Sequence, residues 1–185
     1  QDDGDISFQS DDGSGGITEY FRLDGGAKQT VFEENVRFLD NIELRLGSGS
    51  DIKIFHLSNQ GYIQNQTGHL NIEQYADDSD IIFKSDDGSG GTTAYLTLDG
   101  TWKEAKFTVD AKWTDSKKAR FGGGDDLQIY HDGTNSTIAN STGDLAIRNG
   151  ADNKDIQFQC DNGAGSFSTY FYLDGSSATH DGSAT

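Results

Sequence analysis

The sequence predicts an all-β, repeat-built protein with an elongated, fibrous fold, either β-helix- or β-prism-like or a stack of β-sandwich repeats. Three observations carry this. First, the chain matches itself without a gap at a shift of 75 positions, the interval from Asp5 to Asp80 and from Asp80 to Asp155. A fixed long period marks an array in which one supersecondary unit recurs, rather than one folded core. Second, apolar residues alternate with a period of two, the strand signature, and helical periodicity is scarce. Third, hydrophobic residues are only 32% of the chain, with 11% aromatics and no proline. A low-apolar chain of this size struggles to bury a core by itself. The ordered alternation argues against disorder, so chains are expected to share a core by oligomerising.

The period divides the chain into repeat 1 (1–75), repeat 2 (76–150), a partial repeat 3 (151–175) and a C-terminal tail (176–185) that loses the pattern. Each copy opens on Asp-Ile-x-Phe: Asp5-Ile6-Ser7-Phe8, Asp80-Ile81-Ile82-Phe83, Asp155-Ile156-Gln157-Phe158. Ile6 and Phe8 face one way and Ser7 and Gln9 the other, as a half-buried strand requires. A turn of Asp, Gly and Ser follows, Asp11 to Gly16 and Asp86 to Gly91, residues that supply turn geometry and positive φ. The next strand carries Tyr20, Tyr95 or Tyr170, which alternate away from the Phe21, Leu96 or Phe171 face. It ends on Leu23-Asp24-Gly25, Leu98-Asp99-Gly100 or Leu173-Asp174-Gly175. Further strands are expected at Ile42-Leu44-Leu46, Ile52-Ile54 and Leu70-Ile72, with second-copy counterparts Leu127-Ile129 and Leu145-Ile147. Short strands at this spacing give about eight per repeat. The stretch 101–120, rich in lysine, is the least strand-like and leaves room for a short helix, as does its counterpart 26–45.

The identities between copies fall on turn glycines and apolar positions, among them Gly47/Gly122, Gly49/Gly124, Ile54/Ile129, Ile63/Ile138 and Leu70/Leu145. The polar residues between them vary, as Lys53 against Gln128. That pattern belongs to a repeated scaffold rather than to a repeated active site.

The formal charge of −17 repels phosphate backbones and anionic bilayers, which argues against nucleic acid as a partner and against anionic membrane surfaces. No apolar run approaches the ~20 residues of a membrane-spanning helix, so no membrane insertion is expected. The chain lacks Met, so Gln1 is read as the product of processing or excerption.

The phrase Asp126-Leu127-Gln128-Ile129-Tyr130-His131-Asp132-Gly133-Thr134-Asn135-Ser136, followed by Gly143-Asp144-Leu145-Ala146-Ile147-Arg148, resembles repeats in tail-fibre and appendage proteins of marine bacteriophages, those of cyanobacteria especially. Arg45-Leu46-Gly47 and Arg120-Phe121-Gly122 stand at the matching place before it. The first copy, Ile52 to Leu57, lacks the Asp-Gly after His56. The resemblance covers both full repeats. It implies a structural virion protein, a fibrous β-rich homotrimer in which chains intertwine. Its loops would be displayed to a host cell-surface glycan or protein, in a virion or extracellular location. Two other readings stand beside it. Residues 1–35 and 151–185 are equivalent segments, which suits a subunit of a head-to-tail extracellular filament. A fibre domain that degrades surface polysaccharide is the third.

No catalytic, cofactor-binding or metal-binding residue is assigned. His56 and His131 share a repeat position and a face with Ile54 and Ile129. In a threefold fibre they would meet on the axis and bind a transition metal; otherwise each is a strand-end His bonded into the following turn. Gly122-Gly123-Gly124-Asp125-Asp126-Leu127 matches a calcium nonapeptide superficially, without the nine-residue stacking such sites need. Calcium stays open as a ligand of the loops at 11–16 and 86–91, although turn formation explains the same residues. Tyr20, Tyr95, Tyr170, Tyr62, Trp102 and Trp113 offer a glycan-stacking ridge or, preferably, intersubunit seams. Asn65, Asn135 and Asn140 begin glycosylation sequons, relevant only to a eukaryotic secreted chain. Cys160 replaces Ser10 and Ser85 of the other copies and is read as a small residue in a serine slot. No nucleophile elbow, zinc-protease helix or phosphate loop occurs, so no enzyme is expected.

Overall fold

A computed structural model of the chain describes residues 3–176. The protein is all-β, built from small antiparallel sheets, none of them closed, and no helix occurs among the described residues. Strands β1 (Ile6–Asp11), β2 (Ile17–Asp24) and β3 (Gln29–Phe32) form one three-stranded meander. Strands β4 (Leu44–Leu46), β5 (Ile52–Leu57) and β6 (Gln60–Asn65) form a second. The pattern recurs as β7 (Ile81–Asp86), β8 (Thr92–Asp99) and β9 (Glu104–Phe107), then β10 (Lys118–Phe121), β11 (Leu127–His131) and β12 (Ser136–Asn140). It opens once more with β13 (Ile156–Asp161) and β14 (Phe167–Leu173). Contacts group the chain into two compact units, residues 1–81 with 99–103, and 82–98 with 104–185.

Each full period thus carries six strands, not the eight expected. Leu70-Ile72 and Leu145-Ile147 have strand-like alternation but join no ladder, and Ile42 lies just after the turn before β4, its N–H bonded to the Leu39 carbonyl. The helix considered for 101–120 does not form; β9 and the start of β10 occupy that stretch.

The sequence phrase that repeats three times is a clamp. The carboxylate of Asp5, just before β1, accepts the N–H of Gly25, just after β2, at 3.0 Å. Asp80 holds Gly100 and Asp155 holds Gly175 at the same 3.0 Å. Glycine is required there by space. A Cβ on Gly25, Gly100 or Gly175 would stand 2.5, 2.4 or 2.3 Å from the carbonyl oxygen of Gly4, Ser79 or Lys154. The Asp-Ile-x-Phe and Leu-Asp-Gly ends of the hairpin are therefore two halves of one junction.

The hairpin contains a β-bulge. Phe8 pairs with Phe21, but Gln9 pairs with Glu19, so Tyr20 is an extra residue on β2. The same skip at Tyr170 separates Phe158–Phe171 from Gln159–Thr169. A bulge of this kind locally breaks the alternation that a strand otherwise keeps.

The two copies diverge at one turn of equal length. Between β5 and β6, Ser58 and Asn59 both take positive φ, 51° and 64°, in a two-residue connection closed by the Leu57–Gln60 pair. Two positive φ values match the twist of hairpin strands. Between β11 and β12, Asp132 to Asn135 form a wider loop, with the Asp132 carboxylate accepting the N–H groups of Thr134 and Asn135 at 2.8 and 2.7 Å. The Asp-Gly present in one copy and absent from the other accounts for the difference.

Candidate functional site

In the first, second, fourth and fifth sheets a row of apolar side chains lines one face, and that row is not buried. In the first sheet Phe8, Phe21 and Phe32 stand directly opposite one another across β1, β2 and β3. The Phe8 and Phe21 rings stack at 4.3 Å and Phe21 meets Phe32 at 5.8 Å. Phe158 and Phe171 repeat the stack at 4.3 Å. In the second sheet Leu44, Ile54 and Ile63 form the equivalent row, and in the fourth Ala119, Ile129 and Ile138. Ile54 is 43% exposed and Ile63 67%; Ile129 and Ile138 are 44% and 59%. Among the described residues no apolar side chain is buried.

On the opposite faces of the first, second and fourth sheets, charged and polar side chains pair within the sheet. Arg22 lies between Glu19, at 2.9 Å, and Glu33, with Asp5 at 3.9 Å. Its partners' carboxylates hold the guanidinium charged, and Glu19 is held below the usual carboxylate range by the Ser7 hydroxyl and then by Arg22. Glu43 pairs with Arg45 at 2.7 Å and Lys53 at 3.3 Å. Lys118 donates to Gln128 at 2.7 Å and lies 4.4 Å from the Tyr130 ring centroid.

The aromatic residues divide between these environments. The bulge brings Tyr20 into an open cavity of about 450 Å³ with Phe8, Phe21, Phe32, Val36 and Arg37. Simple alternation places Tyr20 away from Phe21; the bulge reverses that. Tyr62 does not stand free. It is half-buried against Phe55, ring centroids 4.8 Å apart. Trp113 lines a second open cavity, of about 580 Å³, with Ala119, Ile129 and Ile138. Trp102 sits in the β8–β9 turn, 73% exposed, its backbone N–H donating to Asp99 Oδ1 at 2.8 Å.

The Asp-Gly loops spend their carboxylates on themselves. Asp12 Oδ1 accepts from the Ser14 N–H at 2.7 Å, the Ser14 hydroxyl at 2.8 Å and the Gly16 N–H at 3.0 Å. Asp87 does the same with Ser89 and Gly91. These donors hold both carboxyls below the usual carboxylate range. In the third copy Asn162 takes the position and accepts from the Ala164 and Ser166 N–H groups at 2.8 and 3.3 Å. An amide serves as well as a carboxylate, so the position's work is accepting N–H bonds, the local geometry of an Asx turn. Asp126, in the calcium-like phrase, lies packed against its glycines. A Cβ on Gly122 would come 2.5 Å from Asp126 Oδ2, and Asp51 stands 2.4 Å from the same position on Gly47. No cluster of three or more His, Cys, Asp or Glu suited to a metal ion occurs among the described residues.

The histidines do acquire a partner that local reading missed. His56 Nδ1 lies 3.0 Å from Asp40 Oδ1, and His131 Nδ1 lies 3.1 Å from Asp115 Oδ1. Asp40 and Asp115 are themselves one period apart, and that repeat-paired spacing is the signal by which the couple could have been found. Backbone bonds fix the approach: Asn41 N–H to the His56 carbonyl at 3.1 Å, and Ser116 N–H to the His131 carbonyl at 2.8 Å. The Gly133 N–H donates to His131 Nδ1 at 3.1 Å, so the bond into the following turn is present in that copy and competes with Asp115 for the same nitrogen.

The sequon asparagines Asn65 and Asn140 fold their amides into their own turns, donating to the carbonyls of Thr67 and Gly68, and of Thr142 and Gly143. Cys160 is exposed and unpaired in β13, opposite Ser168. Among the described residues, no Ser, Thr or Cys side chain is hydrogen-bonded to either Asp–His couple. No helix among the described residues is long and apolar enough to cross a membrane. No protein-family model matches the chain, and neither the curated proteins nor the solved structures give a significant match.

Proposed function

We propose that the protein is a segment of a fibrous virion appendage, a bacteriophage tail-fibre type structural protein. Its copies assemble side by side into an elongated homotrimer, and its loops are displayed toward a host-surface glycan or protein. One observation carries the assembly: ordered sheets whose apolar faces are all open, with no apolar core among the described residues. The chain exposes 15526 Å². A compact folded chain of 20.0 kDa exposes about 8,700 Å², an excess of about 6,800 Å². A standard interface covers about 800 Å² per partner, and only obligate assemblies cover several thousand. A second and third copy present the same apolar rows at the same 75-residue spacing, so identical chains match face to face along their length. Threefold order and the virion location rest on the resemblance of the Asp126 to Ser136 phrase.

Function in this reading is mechanical. Repeats set length and stiffness, buried rows hold the copies together, and the Asp-Gly loops stay rigid through their own hydrogen bonds. No step of bond cleavage is assigned. Negative-stain imaging of the purified chain, together with mass spectrometry of purified particles and host lysate, tests the proposal. Rods with threefold symmetry, and peptides of this chain in the particle fraction, are expected. Compact monomers, or peptides confined to the lysate, would overturn it.

A further inference from the structure

The two Asp–His couples lie on the faces that the assembly would close. On β5, His56 follows Ile52 and Ile54 on one side of the strand; on β11, His131 follows Leu127 and Ile129. Lys53, Arg45 and Glu43 in the second sheet belong to the other side, as do Lys118 and Arg120 in the fourth. Across from His56 on β6 stands Gly61, and across from His131 on β12 stands Ser136. The charged groups facing the imidazoles are therefore Asp40 for His56, and Asp115 with the neighbouring Asp132 for His131. Both couples are still wet: His56 and Asp40 side chains are 47% and 77% exposed, His131 and Asp115 44% and 73%.

We propose that the face bearing Leu44, Ile54 and Ile63, and its counterpart bearing Ala119, Ile129 and Ile138, are where a second copy of this chain docks, and that docking takes up a proton at each Asp–His couple on the rim. The inference rests on the assembly reading above and adds its regulation. With neutral imidazole, a couple carries one net negative charge. Docking strips water from that charge, which is costly unless it is neutralised. One proton, whether it resides on imidazole nitrogen or on carboxylate oxygen, makes the couple net neutral. The joined state thus binds more protons than the separate chains, and linkage requires assembly to tighten as pH falls. Imidazole is the side chain whose charge changes across neutral pH, so the effect is read on either side of pH 7. The sign is that of a site with higher proton affinity when joined: its contribution is present at the acid end and lost as pH rises. The carboxyls of Asp12, Glu19, Glu43, Asp87 and Asp132 are held below the usual carboxylate range and take no part.

The test is sedimentation equilibrium of the full chain at pH 6.5 and 7.5 in fixed salt, for wild type, H56Q/H131Q and D40N/D115N. With two couples per chain and a limit of tenfold per proton per pH unit, wild-type association should weaken by about 10- to 100-fold from pH 6.5 to 7.5. Both variants retain His69 and His180, which set the baseline, and both should change less than about threefold. D40N/D115N, which removes the charge itself, should also be the tighter at pH 7.5. A wild type that assembles with no pH dependence, or a pH dependence unchanged in both variants, overturns the proton linkage alone. A chain that stays monomeric at both pH values overturns the assembly reading beneath it.

Discussion

Replacing Gly100 by Ala inserts one methyl group into the junction between the end of β8 and the residues before β7. The new Cβ would stand 2.4 Å from the Ser79 carbonyl oxygen, 3.2 Å from its carbon and 3.3 Å from the Ser79 nitrogen. The closest ordinary C···O approach is about 3.3 Å, so the two backbone segments must part by about 0.9 Å. That is overpacking against main chain, which costs about 1–3 kcal/mol. The displacement also stretches the Gly100–Asp80 bond, now 3.0 Å, whose loss in a half-exposed setting costs about 1 kcal/mol. The total is about 3 kcal/mol. At about 2–4 °C per kcal/mol for a chain of this size, the thermal midpoint should fall by about 6–12 °C. Gly123→Ala is the matched control, because nothing lies within 4 Å of its Cβ and its φ is not positive. It should leave the midpoint unchanged or raise it slightly by restricting the unfolded chain. Far-UV circular dichroism during heating reads both. Equal midpoints for G100A and wild type would refute the argument that space at this junction dictates the repeated Asp…Leu-Asp-Gly phrase.

Other expectations follow from the loops. The Asp12 and Asp87 carboxyls are held low by N–H and hydroxyl donors. Their stabilisation is complete above the ordinary carboxylate value near 3.8 and is lost as pH falls through the lower folded values. NMR titration should show Gly16 and Gly91 amides responding in acid, below pH 4, while the Ser166 amide, bonded to Asn162, shows no such step. The same internal bonding leaves these carboxylates little need of a cation, so adding calcium or a chelator should move the thermal midpoint by less than about 1 °C. A rise of several degrees with calcium would reinstate the loops as ligand sites.

Much of the local architecture was legible because it obeys period-two and turn chemistry. The alternation of Ile6 and Phe8, the pairing of apolar rows, and the turns at 11–16 and 47–50 needed no tertiary information. What escaped was non-local. The bulge at Tyr20 shifts register by one residue, and Tyr-Phe-Arg-Leu reads identically with or without that shift. Leu70-Ile72 has a strand's pattern but no neighbouring ladder to join, and alternation alone does not report a partner. The His56–Asp40 couple spans 16 positions across a turn, beyond any local motif. At Gly25, Gly100 and Gly175 the need for glycine comes from backbone that approaches from 21 residues upstream, which no local turn signal reports.

Sedimentation equilibrium of the wild-type chain at neutral pH over a wide concentration range tests the account's centre most directly. The account predicts a mass three times 20.0 kDa, with cooperative unfolding that shifts to lower temperature on dilution. A particle of 20.0 kDa that unfolds cooperatively at a temperature independent of concentration would contradict it, since such a chain would have found a core within itself.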